Sequence, residues 1–421
     1  MKTFKIPYGT KEMEFSIPQR NFSEYLAPSN PILPESDYAE TERALDNPIG
    51  AERLEKMVKP TDKIAILCED ISRYAQTDVM VPSLVNRLNK AGIPDDNITI
   101  VMALGSHRPM TEEEMIVKVG KEIFSRIKVV NSQNKDKSKL VDMGLAPGGV
   151  RVWLDPVVYN SDFKIGVGSI EPHTAAGYTG GGKIIYPGVV GVETVSNFHL
   201  IAASIGNLTG DPNSEARRIM EDWVDTVGLD YIVNAVVTPS NKLYRVVAGD
   251  YVRAHREGVK FSREVWGIQS KEPIDIAIVS SYPADLDFWQ GGKGIVNCEK
   301  VIVDGGLLIL ATPCPEGVGP HPEYIDYMGC DDYRKLLKAA QDGEVDMEGV
   351  LPLAVGAAVA RITTRINVAV ISDGLTDEDI RESGMMPFAT IEDAVEYGLE
   401  QLGQDAKIAV VPMGGGSFLY R

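Results

Sequence analysis

Short, almost uninterrupted apolar runs alternate with amphipathic stretches along nearly the whole chain. KIAILCED (63–70), ITIVMALG (98–105), IKVVN (127–131) and DFKIGVGSI (162–170) form a first set. PIDIAIVSSYP (273–283), GLLILATPC (306–314), INVAVISDG (366–374) and KIAVVPMGG (407–415) form a second. Ile, Val and Ala in continuous runs mark parallel strands covered on both faces. Between them, VPSLVNRLNKAG (81–92), NSEARRIMEDWVDTVG (213–228) and DYVRAHREGVKFSREVWG (250–267) carry helical periodicity. Thr111 and Glu114 form a capping box that opens a further helix. At the start, MKTFKIPYGTKEMEFSIP (1–18) alternates around a turn and predicts a β-hairpin. Strands alternating with helices predict an α/β fold of two doubly wound domains with largely parallel sheets. Polar IQSKEP (268–273) interrupts the pattern, so the expected domains are 1–270 and 271–421.

Composition narrows the function. A chain of 421 residues is long for one core, which agrees with two domains. Its formal charge of -18, spread along the chain, argues against nucleic acid or an anionic membrane as partner. No apolar run is long enough to span a bilayer and no signal peptide is visible. Cys68, Cys298, Cys314 and Cys330 are scattered without C-x-x-C pairing, so a reducing cytoplasm is the expected setting.

Open α/β sheets bind ligands outside the carboxyl ends of their strands. Four polar stretches fall there: CEDISRYAQTD (68–78), GSHRPMTEEE (105–114), EPHTAAGYTGGGK (171–183) and YPADLDFWQGGKG (282–294). Histidine is scarce, yet His107, His173 and His199 fall in or just after these stretches. His255 sits in a helical pattern and is expected as a packed or surface side chain, and His321 as a loop residue. Gly177 to Lys183 reads G-x-x-x-x-G-K, but Ile184 stands where a P-loop needs a hydroxyl for Mg²⁺, so the lysine does not serve a nucleotide triphosphate. A lysine in a partly desolvated pocket is instead a nucleophile or a covalent attachment point. Gly180, Gly181 and Gly182 offer backbone amides that could take a phosphate.

Taken in order, His107 in ALGSHRP, His173 and Lys183 in EPHTAAGYTGGGK, and His199 in TVSNFH resemble the nickel-pincer lactate racemases and their 2-hydroxyacid racemase and epimerase relatives. DISR (70–73), FWQGGK (288–293) and VVAGDYVRAHREGVKFSREVW (246–266) are similar to that family's motifs as well, so the resemblance covers nearly the whole chain. It implies a pyridinium-3-thioamide-5-thiocarboxylic acid mononucleotide joined to Lys183, gripping nickel that His199 also ligates. It further implies His107 and His173 as acid/bases on the two faces of a 2-hydroxyacid, which passes a hydride to the cofactor and takes it back. Arg73 and Lys293 would hold the substrate carboxylate, Gln290 would support the substrate, and Trp289 would wall the pocket. Asp70 and Glu171 would orient the arginine or a histidine. Proteins that build the cofactor are the implied partners, and the site is expected in the cleft between the domains.

One departure stands out. The family commonly reads D-x-T-R-P where this chain has Asp70-Ile71-Ser72-Arg73-Tyr74. Tyr74 replaces a rigid proline beside the carboxylate-binding arginine and is expected to touch the substrate, which opens the class to 2-hydroxyacids larger than lactate. Two other readings stay open on the sequence. One is a hydrolase or lyase with a simple divalent metal on the three histidines, the other a protein that binds cofactor or hydroxyacid without turnover.

Overall fold

Each apolar run buries both faces of a strand, and the two faces meet different layers. In the computed structural model, which describes residues 1–73 and 75–421, the second set of runs shows this directly. Ala277, Val279, Leu308, Leu310, Val368 and Val370 join one core cluster. Their alternate neighbours Ile276, Ile278, Leu307, Ile309, Ala369 and Ile371 join another. Side chains of period two facing two covered layers explain why polar alternation is absent.

The chain divides into two units. The N-terminal unit comprises residues 30–201 and 211–265, and the C-terminal unit residues 1–29, 202–210 and 266–421. The six-stranded sheet of the N-terminal unit runs, edge to edge, Leu243–Gly249, Tyr231–Val237, Phe163–Ser169, Ile64–Glu69, Ile98–Ala103 and Lys128–Asn131. Neighbours are parallel except Leu243–Gly249, which lies antiparallel to Tyr231–Val237 at the edge. After Ile64–Glu69 the chain builds outward on one side, then returns to place Phe163–Ser169 on the other. The carboxyl ends of these two strands therefore flank the topological switch point, where such sheets open a crevice.

The C-terminal unit holds a second six-stranded sheet, all parallel, in the order Met386–Pro387, Asn367–Ile371, Ile302–Ala311, Ile274–Ser280, Ile408–Val411 and Phe22–Tyr25. Its last strand comes from the start of the chain. The sequence places residues 1–29 with the first domain; in the structure they belong to the second. The expected hairpin forms, pairing Lys2–Tyr8 with Lys11–Ile17. Its apolar side (Phe4, Ile6, Tyr8, Phe15 and Ile17) is buried in the same cluster as Ile276, Ile309 and Val410. The far edge of the first segment is thus fixed by sheet pairing and by a face that needs a cover. The predicted helices form at Thr77–Lys90, Glu215–Val227 and Arg253–Trp266, and Thr111 with Glu114 caps Glu112–Val119 in both directions. Among the described residues no helix is long and apolar enough to cross a membrane.

Because Phe15 is 2% exposed beneath this sheet, Phe15→Ala should destabilise the C-terminal unit by about 3–5 kcal/mol. Denaturant unfolding followed by hydrogen exchange in Ile274–Ser280 measures it, and a loss confined to the hairpin itself would contradict the shared core.

Candidate functional site

At the switch point of the N-terminal unit, Asp70, Arg73, His107, His173, Lys183 and His199 line one cavity. Three strand ends supply most of them. Asp70 and Arg73 follow Ile64–Glu69, His107 follows Ile98–Ala103, and His173 follows Phe163–Ser169. Lys183 stands on the turn Gly181–Ile184, and His199 on the helix Val192–Ile205.

His107 Nδ1 lies 2.5 Å from Asp70 Oδ2, with Ser72 Oγ donating to the other carboxylate oxygen at 2.6 Å. Burial pushes the Asp70 carboxyl up, but His107 and Ser72 outweigh it and hold the group well below the usual carboxylate range. An ionised Asp70 only accepts, so His107 carries a proton on Nδ1, and in the neutral ring the lone pair is on Nε2. His173 is set the other way. Its Nδ1 accepts from the backbone N–H of Ala175 at 3.1 Å and of Ala176 at 3.3 Å, so the ring proton sits on Nε2. The two rings thus present a base and a donor through the same atom. Arg73 and Glu171 pair at 3.9 Å, each about four-fifths buried (20% and 15% exposed).

His199 Nδ1 donates to the Val195 carbonyl at 2.9 Å, which leaves the lone pair on Nε2. Burial, followed by the nearby positive charge of Lys183, pushes its pKa down to about 4. The imidazole is therefore neutral at neutral pH, as metal ligation requires. Of the three glycines expected to face a phosphate, Gly180 lines the cavity. Gly181 and Gly182 pack inward instead. A Cβ on Gly181 would stand 2.6 Å from Arg217 Nη2, and one on Gly182 2.9 Å from Val224. The Gly181 amide also donates to Asn234 Oδ1 at 2.8 Å. For these two the lack of a side chain is explained by close packing.

The structure adds residues that sequence reasoning missed. Glu69 is buried at the end of its strand and accepts from Ser169 N at 2.6 Å, Ala75 N at 2.9 Å and Lys118 Nζ at 3.0 Å. Burial alone would favour neutral Lys118; the charge of Glu69 reverses this and holds it above the ordinary lysine value. Lys118 also donates to the Arg73 carbonyl at 3.0 Å. The only sequence hint is the acidic doublet Glu69-Asp70 at a strand end. His255 is fully buried, bonded to Thr179 O at 2.9 Å. Burial, then the charges of Arg217 and Arg256, hold its imidazole well below 6.5.

In the C-terminal unit, Lys293 Nζ donates to Gln290 Oε1 at 2.5 Å, and Asp287 caps that turn by accepting from Gln290 N at 2.7 Å. Trp289 packs against His321 with ring centroids 4.8 Å apart and meets Tyr324 edge-on. Tyr74 lies outside the described residues. Among the described residues no three His, Cys, Asp or Glu side chains form a group able to hold a metal, so His107, His173 and His199 are not assembled as a trihistidine site.

The chain resembles known proteins over nearly its whole length. Residues 8–209 match the lactate racemase N-terminal domain and residues 269–418 the lactate racemase C-terminal domain. A lactate racemase of Lactiplantibacillus plantarum is 28% identical over 99% of both chains. That of Thermoanaerobacterium thermosaccharolyticum is 28% identical over 98% of both. The solved lactate racemase apoprotein from the latter organism superposes with a TM-score of 0.88 at 27% identity, covering 100% of each chain. A Thermotoga maritima protein shares the fold alone, with a TM-score of 0.68 at 19% identity over 91% of this chain and 98% of its own.

Two measurements check the site. Nitrogen-15 spectra should show His107 protonated at Nδ1 and His173 at Nε2; the same tautomer at both would contradict the geometry. His255 stays neutral in the fold, whereas the unfolded chain takes up a proton there below about pH 6.5. The unfolded state then binds more protons, so stability falls as pH falls, by up to about 1.4 kcal/mol per pH unit for this one group. His255→Gln should flatten that slope in denaturant titrations; an unchanged slope would place the proton uptake elsewhere.

Proposed function

The chain belongs to the lactate racemase family, and from that premise we propose an isomerase that inverts C2 of a 2-hydroxyacid, lactate-like or larger, using nickel and a pincer nucleotide joined to Lys183. The convergence of His107, His173, Lys183 and His199 on one cavity carries this reading. The donor set suits the group: a lysine amine for the thioamide, and a neutral imidazole whose Nε2 lone pair is the kind of nitrogen nickel takes. When bound, the cofactor supplies an acceptor for the C2 hydrogen and its bonding electrons.

The chain's own residues do the rest. His107 Nε2 takes the proton of the substrate hydroxyl, and ionised Asp70 at Nδ1 stabilises the imidazolium that forms. His173 offers its Nε2–H to the substrate oxygen as a hydrogen bond from its own side, and it can give a proton to that oxygen only after it has itself become an imidazolium. For the opposite enantiomer the roles exchange, and His173 must first move its proton to Nδ1, giving up the contacts from Ala175 and Ala176. Arg73, steadied by Glu171, offers a planar fork to the carboxylate, and Lys293 with Gln290 adds a charge and an amide. Trp289 and Tyr74 would shape the pocket around the substrate's third carbon and beyond. Gly180, which lines the cavity, would meet the nucleotide. The four cysteines are free, which suits a cytoplasmic enzyme served there by cofactor-building proteins.

The test is chain co-expressed with those proteins. Peptide mass should place an adduct on Lys183 with stoichiometric nickel, and Lys183→Ala should fold without it. Substrate deuterated at C2 should keep its label through inversion, since the hydrogen returns from the cofactor. His107→Ala should cut turnover by about 10²–10⁴-fold with the adduct retained. Loss of deuterium to water, or an unmodified Lys183 beside an active control racemase, would overturn the reading.

A further inference from the structure

Arg217 is fully buried, and the chemistry above gives it nothing to do. A buried guanidinium is costly unless its donors are matched. Nη1 donates to the Tyr178 carbonyl at 2.8 Å, Nη2 to the Gly180 carbonyl at 3.0 Å, and Nε to Glu221 Oε1 at 2.9 Å. His255 covers the carbonyl between them. His255 Nδ1 faces Arg256 Nη1 at 3.0 Å, and Nε2 lies between Thr179 O at 2.9 Å and Arg217 Nη2 at 3.0 Å, so the ring is gripped by both guanidiniums while it covers that carbonyl. Arg256 in turn grips both oxygens of Glu221 at 2.8 Å. Three consecutive carbonyls, 178 to 180, therefore end on two side chains from the helices Glu215–Val227 and Arg253–Trp266. Gly181, with φ of +57°, lets the backbone lie against these two side chains. Lys183 hangs from the last held carbonyl, its N–H 3.3 Å from Gly180 O.

We propose that Arg217 and His255, braced by Glu221 and Arg256, are positioning residues that lock the 178–180 turn in the conformation presenting the Lys183 amine for covalent attachment of the nucleotide. The proposal rests on the reading of Lys183 given above. Forming the thioamide joins the lysine nitrogen to the carbon of an activated thiocarboxylate on the nucleotide: the C–N bond forms, the bond from that carbon to its activating group breaks, the sulfur stays, and the amine loses a proton. An amine on a loose loop meets that carbon rarely, whereas a fixed one gains effective concentration. The three carbonyls also need Arg217's fork and a neutral donor between its arms. Lysine cannot replace the fork, because one ammonium cannot reach two carbonyls and a carboxylate in a plane.

The experiment compares full-length Arg217→Lys, His255→Leu and His255→Gln with the parent chain. Gln keeps an N–H near the place of Nε2, and Leu removes it. Made without cofactor-building proteins, Arg217→Lys and His255→Leu should exchange amides of 177–183 about tenfold faster, with Phe163–Ser169 unchanged and His255→Gln close to the parent. Made with those proteins, the fraction of chains modified at Lys183 should fall at least fivefold, on the order of 1 kcal/mol, in the first two and recover in His255→Gln. Unchanged exchange in 177–183, or faster exchange with undiminished modification, would overturn the clamp. If the parent itself carries no adduct, the reading of Lys183 fails, and exchange in the bare chain still decides whether the turn is held in this way.

Discussion

One buried carboxylate, Glu69, decides how the N-terminal unit's site is assembled. Each of its oxygens has two neighbours to satisfy. Oε2 takes the backbone and side chain of Ser169, and Oε1 takes Ala75 and Lys118. Ser169 ends the strand that leads to Glu171 and His173, while Ala75 closes the loop that carries Asp70 and Arg73. Lys118 then reaches back to the Arg73 carbonyl. With side chains only 7% and 5% exposed, neither partner of this pair has water to fall back on. Breaking such a pair from one side costs about 3–5 kcal/mol, so the two strand ends are not free to separate. The distance between the loop bearing Asp70 and Arg73 and the loop bearing His173 is fixed here.

The same logic of satisfied donors sets protonation. Asp70 and the Val195 carbonyl accept from the Nδ1 atoms of His107 and His199, and the amides of Ala175 and Ala176 donate to that of His173. Identical imidazoles thereby present different faces to one cavity: lone pair, lone pair and N–H. None of this needs a ligand in place, so the chain has its proton pattern ready before substrate binds.

The fold was legible where one physical signal dominated. Eight continuous apolar runs gave eight strands, and a capping box gave a helix start. The strands Tyr231–Val237 and Leu243–Gly249 are absent from those eight runs, although YIVNAVV and LYRVVAG around a polar turn carry a fair signal of their own. Scarce histidines at strand ends, with Lys183 after its glycines, pointed to the cavity. Glu69, Lys118 and Arg217 were invisible because their meaning lies in burial and in partners up to 100 residues away. A charged letter reads as surface until the fold encloses it. The missing side chains of Gly181 and Gly182 belong to the same class, because the space they leave is taken by Arg217 and Val224, which only the fold brings there.

The placement of residues 1–29 has a consequence for biosynthesis. A ribosome makes the hairpin and the strand Phe22–Tyr25 long before their neighbour Ile408–Val411, which lies more than 380 residues further along the chain. The N-terminal unit can complete its own sheet once residue 265 has emerged. Until Ile274–Ser280 and Ile302–Ala311 have been made, Phe4, Ile6, Tyr8, Phe15 and Ile17 have no core to enter. The nascent chain thus carries an exposed apolar hairpin while the whole N-terminal unit is made, the kind of surface chaperones hold and crowded polysomes aggregate.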